Sequence, residues 1–154
     1  MIFKGLAMAL LVLPFAATAA SGIDVEKDRP FPEQKAEVQA ALADGETYAE
    51  INPQDRSAVL GALERIEFEL ESAGGIDVLD REAQVRVFND QELVNNLLTR
   101  AGEDSRLVCR RSRKVGSHFP TNVCQTVAEQ RRLREASQDQ MKQLNSHRML
   151  PPGG

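Results

Sequence analysis

Apolar residues recur at helical spacing through much of this chain, and the clearest such stretch begins at Asn52. Asn52 can accept hydrogen bonds from the free amides of a first turn, Pro53 suits the first helical position, and Gly74-Gly75 ends the pattern. One face is apolar, with Val59, Leu60, Leu63, Ile66 and Leu70. The other face carries Glu64, Glu67, Glu69 and Glu71, which we interpret as a solvated surface rather than a cation site. The pattern predicts an amphipathic helix.

A weaker helical stretch precedes this one and a second strong one follows it. The weaker stretch runs from Glu33 to Ala43, and Gly45 lies just past its end. Its apolar side holds Val38, Ala41 and Leu42. The strong stretch runs from about Asp80 to Ala101, and Gly102 marks its exit. Its candidates for burial are Val85, Phe88, Val94, Leu97 and Leu98.

A dense polar group interrupts the strong stretch at Asn89. Asn89 followed by Glu92 resembles a capping box, in which each side chain satisfies a backbone amide, so the spacing predicts a kink or a helix restart near Asn89. The group Asn89-Asp90-Gln91-Glu92 also offers hydrogen bonds to a ligand, although capping explains it more simply.

The pattern changes again after Arg106. Leu107-Val108-Cys109 and Asn122-Val123-Cys124 are short strand-like runs separated by Gly116-Ser117 and Pro120. They predict a hairpin or ordered loop over residues 106–125.

A last helix is predicted to start at Thr126, which forms a second capping-box pair with Glu129, and to run through about Ser146. Its apolar residues are Val127, Leu133, Ala136, Met141 and Leu144. They are too sparse for a broad buried face, so this helix is expected to pack lightly, to project or to meet a partner.

These elements predict a mainly α fold: a small helical bundle with one disulfide-linked β-hairpin or ordered loop before a C-terminal helix. Residues 33–146 are expected to form a single domain, which suits their number. The polar, proline-containing stretch 21–32 is interpreted as a flexible or extended lead-in rather than packed structure, and residues 147–154 as a flexible tail.

Residues 1–20 have the layout of a secretory signal peptide. Lys4 precedes an apolar run from Leu6 to Ala17, and small residues that include Ala17-Thr18-Ala19 follow. The run is too short to span a bilayer, and Pro14 interrupts it. The mature protein is therefore expected to be periplasmic or secreted, with no transmembrane segment.

The chain has two cysteines, Cys109 and Cys124. Two thiols in an exported protein usually pair with each other, so a structural disulfide is predicted. The alternative is thiol redox chemistry, which typically uses a closer Cys-X-X-Cys pair.

Charge divides the mature chain into two parts. Residues 21–104 hold 8 Lys and Arg against 20 Asp and Glu, a balance of −12, and residues 105–154 hold 10 against 3, a balance of +7. The basic part supplies the candidate anion-binding or partner-binding residues, which are Arg110, Arg111, Arg113, Lys114, Arg131 and Arg132. The alternative is that these cations face the acidic helices of the same molecule or are solvated.

Other chemistry has little support in the sequence. Cys109, His118, Cys124 and His147 match no familiar zinc spacing, so neither a metal nor another cofactor is expected. No phosphate-binding loop, dinucleotide fingerprint or hydrolase motif is present, so no catalytic residue is assigned. Only Phe119 lies among the cations, which argues against nucleic acid as a partner.

The stretch from Asp104 to Arg111, with Gly116-Ser117, Pro120 and the stretch from Val123 to Glu129, resembles a family of small exported proteins of Gram-negative bacteria. The segment from Phe88 to Asn95 is similar to the same family. The resemblance implies export and a shared architecture, and it carries over no catalytic residue or ligand.

The leading hypothesis is a non-enzymatic periplasmic or secreted interaction module, which binds an anionic envelope component or an acidic protein through the basic hairpin and the last helix. The second hypothesis is a small envelope enzyme or thiol-redox protein that uses Cys109 and Cys124 or His118. The third is self-association, in which the acidic helices of one copy meet the basic hairpin of another.

Overall fold

The computed structural model describes residues 22–26, 29–113, 115–116 and 118–148, with side chains as far as Ser146. The predicted signal peptide and residues 149–154 lie outside this range. The elements, in chain order, are α1 Phe31–Ala43, α2 Pro53–Ala73, a short 3-10 turn Ile76–Val78, α3 Arg81–Ser105, β1 Leu107–Ser112, β2 Thr121–Thr126 and α4 Val127–Arg148. The mainly helical fold with one hairpin before the last helix is confirmed.

Helix α2 begins and ends at the residues that the sequence marks. The Asn52 side chain accepts a hydrogen bond of 2.8 Å from the Asp55 amide, and Pro53 occupies the first turn. Gly74 follows the last turn with a φ of +85°, a backbone conformation that favours glycine, and its N–H donates to the Leu70 carbonyl.

The core lies mainly between α2 and α3, which share the largest helix–helix interface. Helix α2 buries Val59, Ala62, Leu63 and Ile66 completely, which confirms the predicted stripe. Helix α3 contributes Ala83, Val87, Val94, Leu98 and Ala101, and α1 adds Phe31, Val38 and Leu42.

Three expectations for α3 are wrong. Val85 is 53% exposed, because the face in register with α2 passes through Val87 instead. The helix continues without a break through Asn89, since its N-cap is Asp80, whose side chain accepts from the Ala83 amide. It also continues past Gly102 to Ser105, and Gly102 lies beside the Tyr48 ring, where a Cβ would be 3.7 Å from the ring.

The stretch before α1 packs where the sequence suggested that it would not. Ile23 is only 2% exposed and belongs to the core. The Asn95 side chain accepts from the Ile23 amide and donates to the Ile23 carbonyl, at 2.8 and 2.9 Å. Buried Gln34 does the same for Asp24. The polar composition of this stretch did not indicate the contact. The hydrogen bonds are made by its backbone atoms, which are the same in every sequence.

The molecule has two parts. The body comprises the docked residues 22–26, the helices α1 to α3 and the loops between them. The extension comprises β1, β2 and α4, residues 107–148. The 15 residues of the main hydrophobic cluster, from Ile23 to Ala101, all belong to the body.

Candidate interaction surface

The hairpin of the extension is held across its middle by a disulfide. Strands β1 and β2 pair antiparallel with Cys109 directly opposite Cys124, at a Cα–Cα distance of 4.0 Å, and the two sulfurs are bonded. The predicted disulfide is confirmed. Within the described residues no third strand joins this sheet. The bond therefore stabilises a two-stranded hairpin that would be marginal alone.

The hairpin arginines lie on two faces rather than one. Successive residues of a strand point to opposite sides, so Arg110, opposite Val123, and Arg111, opposite Asn122, project in opposite directions. Both are exposed, as is Arg113 just beyond the end of β1. Lys114 lies outside the described residues.

The hairpin arginines are also free of acidic partners within the described part of the chain. Arg110 donates to the Gln130 side chain at 3.2 Å, which is a contact with a neutral amide, and no carboxylate pairs with Arg110, Arg111 or Arg113 there. All three side chains are exposed.

Arg131 and Arg132 behave differently, because each pairs with a carboxylate of the body. Arg131 donates two hydrogen bonds to Asp104, at 2.9 and 3.0 Å. Arg132 donates two to Glu50, at 2.8 and 3.2 Å. Paired contacts of this kind fix both groups in orientation. Arg131 and Arg132 therefore follow the alternative interpretation of the sequence, in which the cations face acidic groups of the same molecule.

These pairs change the titration of the two acids. The Arg132 guanidinium, and after it the Thr126 hydroxyl, lowers the pKa of Glu50 below its ordinary value. The Arg131 guanidinium lowers the pKa of Asp104 in the same way. Both carboxylates are largely covered, with side chains 15% and 22% exposed.

Glu50 also belongs to the cap that starts α4. The Thr126 amide donates to Glu129 at 2.9 Å and the Glu129 amide donates to the Thr126 hydroxyl at 3.0 Å, which confirms the predicted capping box. The same hydroxyl donates to Glu50 at 2.6 Å. Sequence reasoning missed Glu50, because it lies 76 residues from Thr126 and no local pattern connects them.

Beyond this anchor α4 leaves the body. Ala128 is buried, but each residue from 131 to 146 is exposed. Leu133, Met141 and Leu144 are 54%, 61% and 66% exposed. The prediction that the helix packs lightly or projects agrees with this arrangement.

The polar group at Asn89 serves the molecule itself. Asp90 pairs with Arg65 through two hydrogen bonds, which ties α3 to α2. Gln91 accepts from the Val25 amide at 2.7 Å and, with Asn95, holds the N-terminal segment. The glutamates of α2 are partly engaged as well, since Glu67 pairs with Lys35 and Glu69 with Arg86.

The described residues contain neither a free thiol nor a metal-binding cluster. Both cysteines are oxidised, His118 is exposed, and no three side chains of His, Cys, Asp or Glu lie close enough to hold a metal within that part of the chain. A groove of about 690 Å³ between α2 and α3 is open to solvent, and two ion pairs, Arg65 with Asp90 and Arg86 with Glu69, line it.

None of the described helices is both long enough and apolar enough to cross a bilayer. Comparisons with family models, with curated proteins and with solved structures give no match to this chain. The family resemblance of the hairpin and of residues 88–95 therefore stays a prediction.

Proposed function

We propose that this protein is an exported, non-enzymatic interaction module of the bacterial envelope, and that its extension binds an anionic partner. The observation that carries the proposal is the contrast among its arginines. Those of the hairpin lack acidic partners in the described structure, whereas Arg131 and Arg132 hold the extension in place. In this proposal the hairpin is the contact surface, and the first turns of α4 anchor it to the body.

A rigidly anchored hairpin favours binding, because it loses less conformational entropy when the partner binds. The disulfide joins Cys109 of β1 to Cys124 of β2, and the capping box joins β2 to α4 without a linker. Guanidinium groups on such a support can make paired hydrogen bonds to a carboxylate or a phosphate.

The two hairpin faces allow one partner to be held from both sides, or two anionic groups to be held at once. Arg110 is directed toward α4, where it meets Gln130, and Arg111 faces away. Arg131 and Arg132 are weaker contact candidates, because an external anion would have to displace Asp104 or Glu50.

Export is part of the same proposal. The tripartite leader and the paired cysteines both suit an oxidising compartment, the periplasm or the extracellular space. Mass spectrometry of the protein from its native envelope tests this directly. Cleavage after Ala19 or Ala20 is expected, and an intact Met1 would contradict a cleaved secretory leader.

The binding proposal is tested with the oxidised mature protein, immobilised and exposed to envelope extract at low and high salt. The variant Arg111→Ala/Arg113→Ala is expected to lose the retained component at least tenfold. The control Arg56→Ala/Arg81→Ala removes two exposed arginines of the body that also lack acidic partners among the described residues. It is expected to bind as the parent does.

Thermal unfolding accompanies the binding measurement. Both variants are expected to keep the thermal midpoint of the parent, since all four side chains are exposed. Equal retention by the two variants, or retention that does not weaken as salt screens the charges, would contradict the proposal.

A further inference from the structure

The projecting part of α4 has a regular uncharged stripe. Leu133, Ser137, Gln140 and Leu144 follow one another at intervals of four, three and four residues, the spacing of a coiled-coil seam. Ala136 and Met141 flank the seam on its two sides. All six side chains are exposed, so nothing in the described monomer covers this seam.

We infer that this seam pairs with the same seam of a second copy, with the two helices antiparallel and Leu133 of each chain opposite Leu144 of the other. The inference goes beyond the proposed function, because it concerns a different face of α4. Arg131 and Arg132 lie on the opposite side of the helix and stay uncovered.

The order of residues along the seam indicates the occupant. The seam is symmetric about a point between residues 138 and 139: Leu133 and Leu144 are equally far from that point, and so are Ser137 and Gln140. A two-fold axis there places Leu133 opposite Leu144 of the other chain and Ser137 opposite Gln140, so both halves of the interface make the same contacts, as an interface between identical chains requires. The result is two outer leucine layers around two inner layers of serine against glutamine.

The inner layers can satisfy their polar groups. The Ser137 hydroxyl donates to the Leu133 carbonyl of its own helix at 2.8 Å, which leaves its lone pairs free to accept from a Gln140 amide of the other chain. Polar residues in such a seam typically set register at some cost in affinity.

Charge favours the antiparallel arrangement. The six charged residues of residues 131–146 all lie off the seam, and they are Arg131, Arg132, Arg134, Glu135, Asp139 and Lys142. A parallel pair would bring two basic hairpins together at one end, whereas an antiparallel pair places them at opposite ends. It also opposes the two helix dipoles.

The length of the seam sets the strength of the contact. Sixteen helical residues span about 24 Å, so the shared area falls below the roughly 1,200 Å² that stable, specific complexes bury. We therefore expect weak association, with a dimer that forms only when the protein is concentrated.

Sedimentation equilibrium of the full mature protein between 10 μM and 1 mM tests the inference. The average mass of the parent is expected to rise toward twice that of the monomer. Leu144→Glu is expected to weaken association at least tenfold, because it places a charge in an apolar layer. The control Ser146→Glu adds the same charge on the opposite side of the helix and is expected to associate as the parent does.

Orientation is tested by exchanging charges. Leu133→Glu and Leu144→Lys should each weaken association, and the double variant should regain it, because each glutamate then faces a lysine of the other chain. A parallel pair would instead oppose glutamate to glutamate, so a double variant no better than the singles would overturn the antiparallel arrangement.

Two further results would overturn the inference as a whole. One is a parent protein that stays monomeric at 1 mM, and the other is Leu144→Glu associating as well as Ser146→Glu. The arginine variant Arg111→Ala/Arg113→Ala separates this inference from the proposed function, since it is expected to lose the anionic partner and to keep the dimer.

Discussion

Helices α3 and α4 are similar in length, 25 and 22 residues, yet α3 packs in the core and α4 is mostly exposed. Helix α3 buries an apolar residue on nearly every turn against α2. Helix α4 buries Ala128 near its start and is then exposed from residue 131 to residue 146. The body is therefore stabilised by packing, and the extension by specific bonds: a disulfide across the hairpin, a capping box and two arginine–carboxylate pairs at the start of α4.

This contrast teaches that helical sequence and buried structure are separate properties. Isolated helices are marginal in water unless packing or local bonds support them. The extension has such local bonds at its hairpin and at the start of α4, and α4 is exposed from residue 131 to residue 146.

The largest expected loss in the free energy of unfolding comes from a substitution that leaves a cavity in the body. Leu63 is fully buried, so Leu63→Ala is expected to lower the free energy of unfolding by about 2–5 kcal/mol. Leu133→Ala removes the same atoms from an exposed site and is expected to change it by less than about 0.5 kcal/mol. Denaturant unfolding of both variants measures the difference. Similar losses would mean that α4 is packed in solution.

Removing the disulfide is expected to act mainly on the extension. In the variant Cys109→Ser/Cys124→Ser the hairpin loses a cross-link worth up to about 3 kcal/mol against opening. Limited proteolysis should therefore cut between Ser112 and Thr121 faster than in the parent. The thermal midpoint of the body should fall less than in Leu63→Ala. An equal fall would show that body and extension unfold as one unit.

The docked N-terminal segment should depend on Asn95. Asn95→Ala leaves the amide and carbonyl of Ile23 without their partner and is expected to lower the free energy of unfolding by about 1–3 kcal/mol. Amide hydrogen exchange at Ile23 should rise at the same time. The neighbouring control Asn96→Ala changes an exposed side chain and should have almost no effect. Unchanged exchange at Ile23 would argue against docking.

The smallest effect concerns the pairs that anchor the extension. Glu50 has a lowered pKa when folded, so its ionised form stabilises the protein above its ordinary pKa of 4.5, and this contribution is lost as the pH falls through the lowered value. Glu50→Gln is expected to lower the thermal midpoint by about 2–4 °C at pH 7.

The difference between Glu50→Gln and the parent should shrink as the pH falls below 4.5, as followed by circular dichroism. Glu46→Gln, an exposed change in the same loop, is the control and should leave the midpoint unchanged at both pH values. A difference that persists undiminished at low pH would show that charge does not hold this contact.

Local sequence patterns predicted the helices and strands of this protein well where neighbouring residues determine where an element begins or ends. Asn52 and Thr126 cap their helices through atoms three residues away, and Gly74 ends α2 by its own backbone conformation. The hairpin follows from two short strand-like runs, and the pairing of Cys109 with Cys124 follows from there being only two cysteines.

The sequence thus determined the element order, the disulfide and the split between an acidic body and a basic extension, since these depend on composition and short-range spacing. Only the tertiary structure decided which cations are already neutralised. Arg132 reaches Glu50 from 82 positions away, and Asn95 reaches Ile23 from 72. Such contacts depend on how the helices pack against one another, which no local pattern along the chain records.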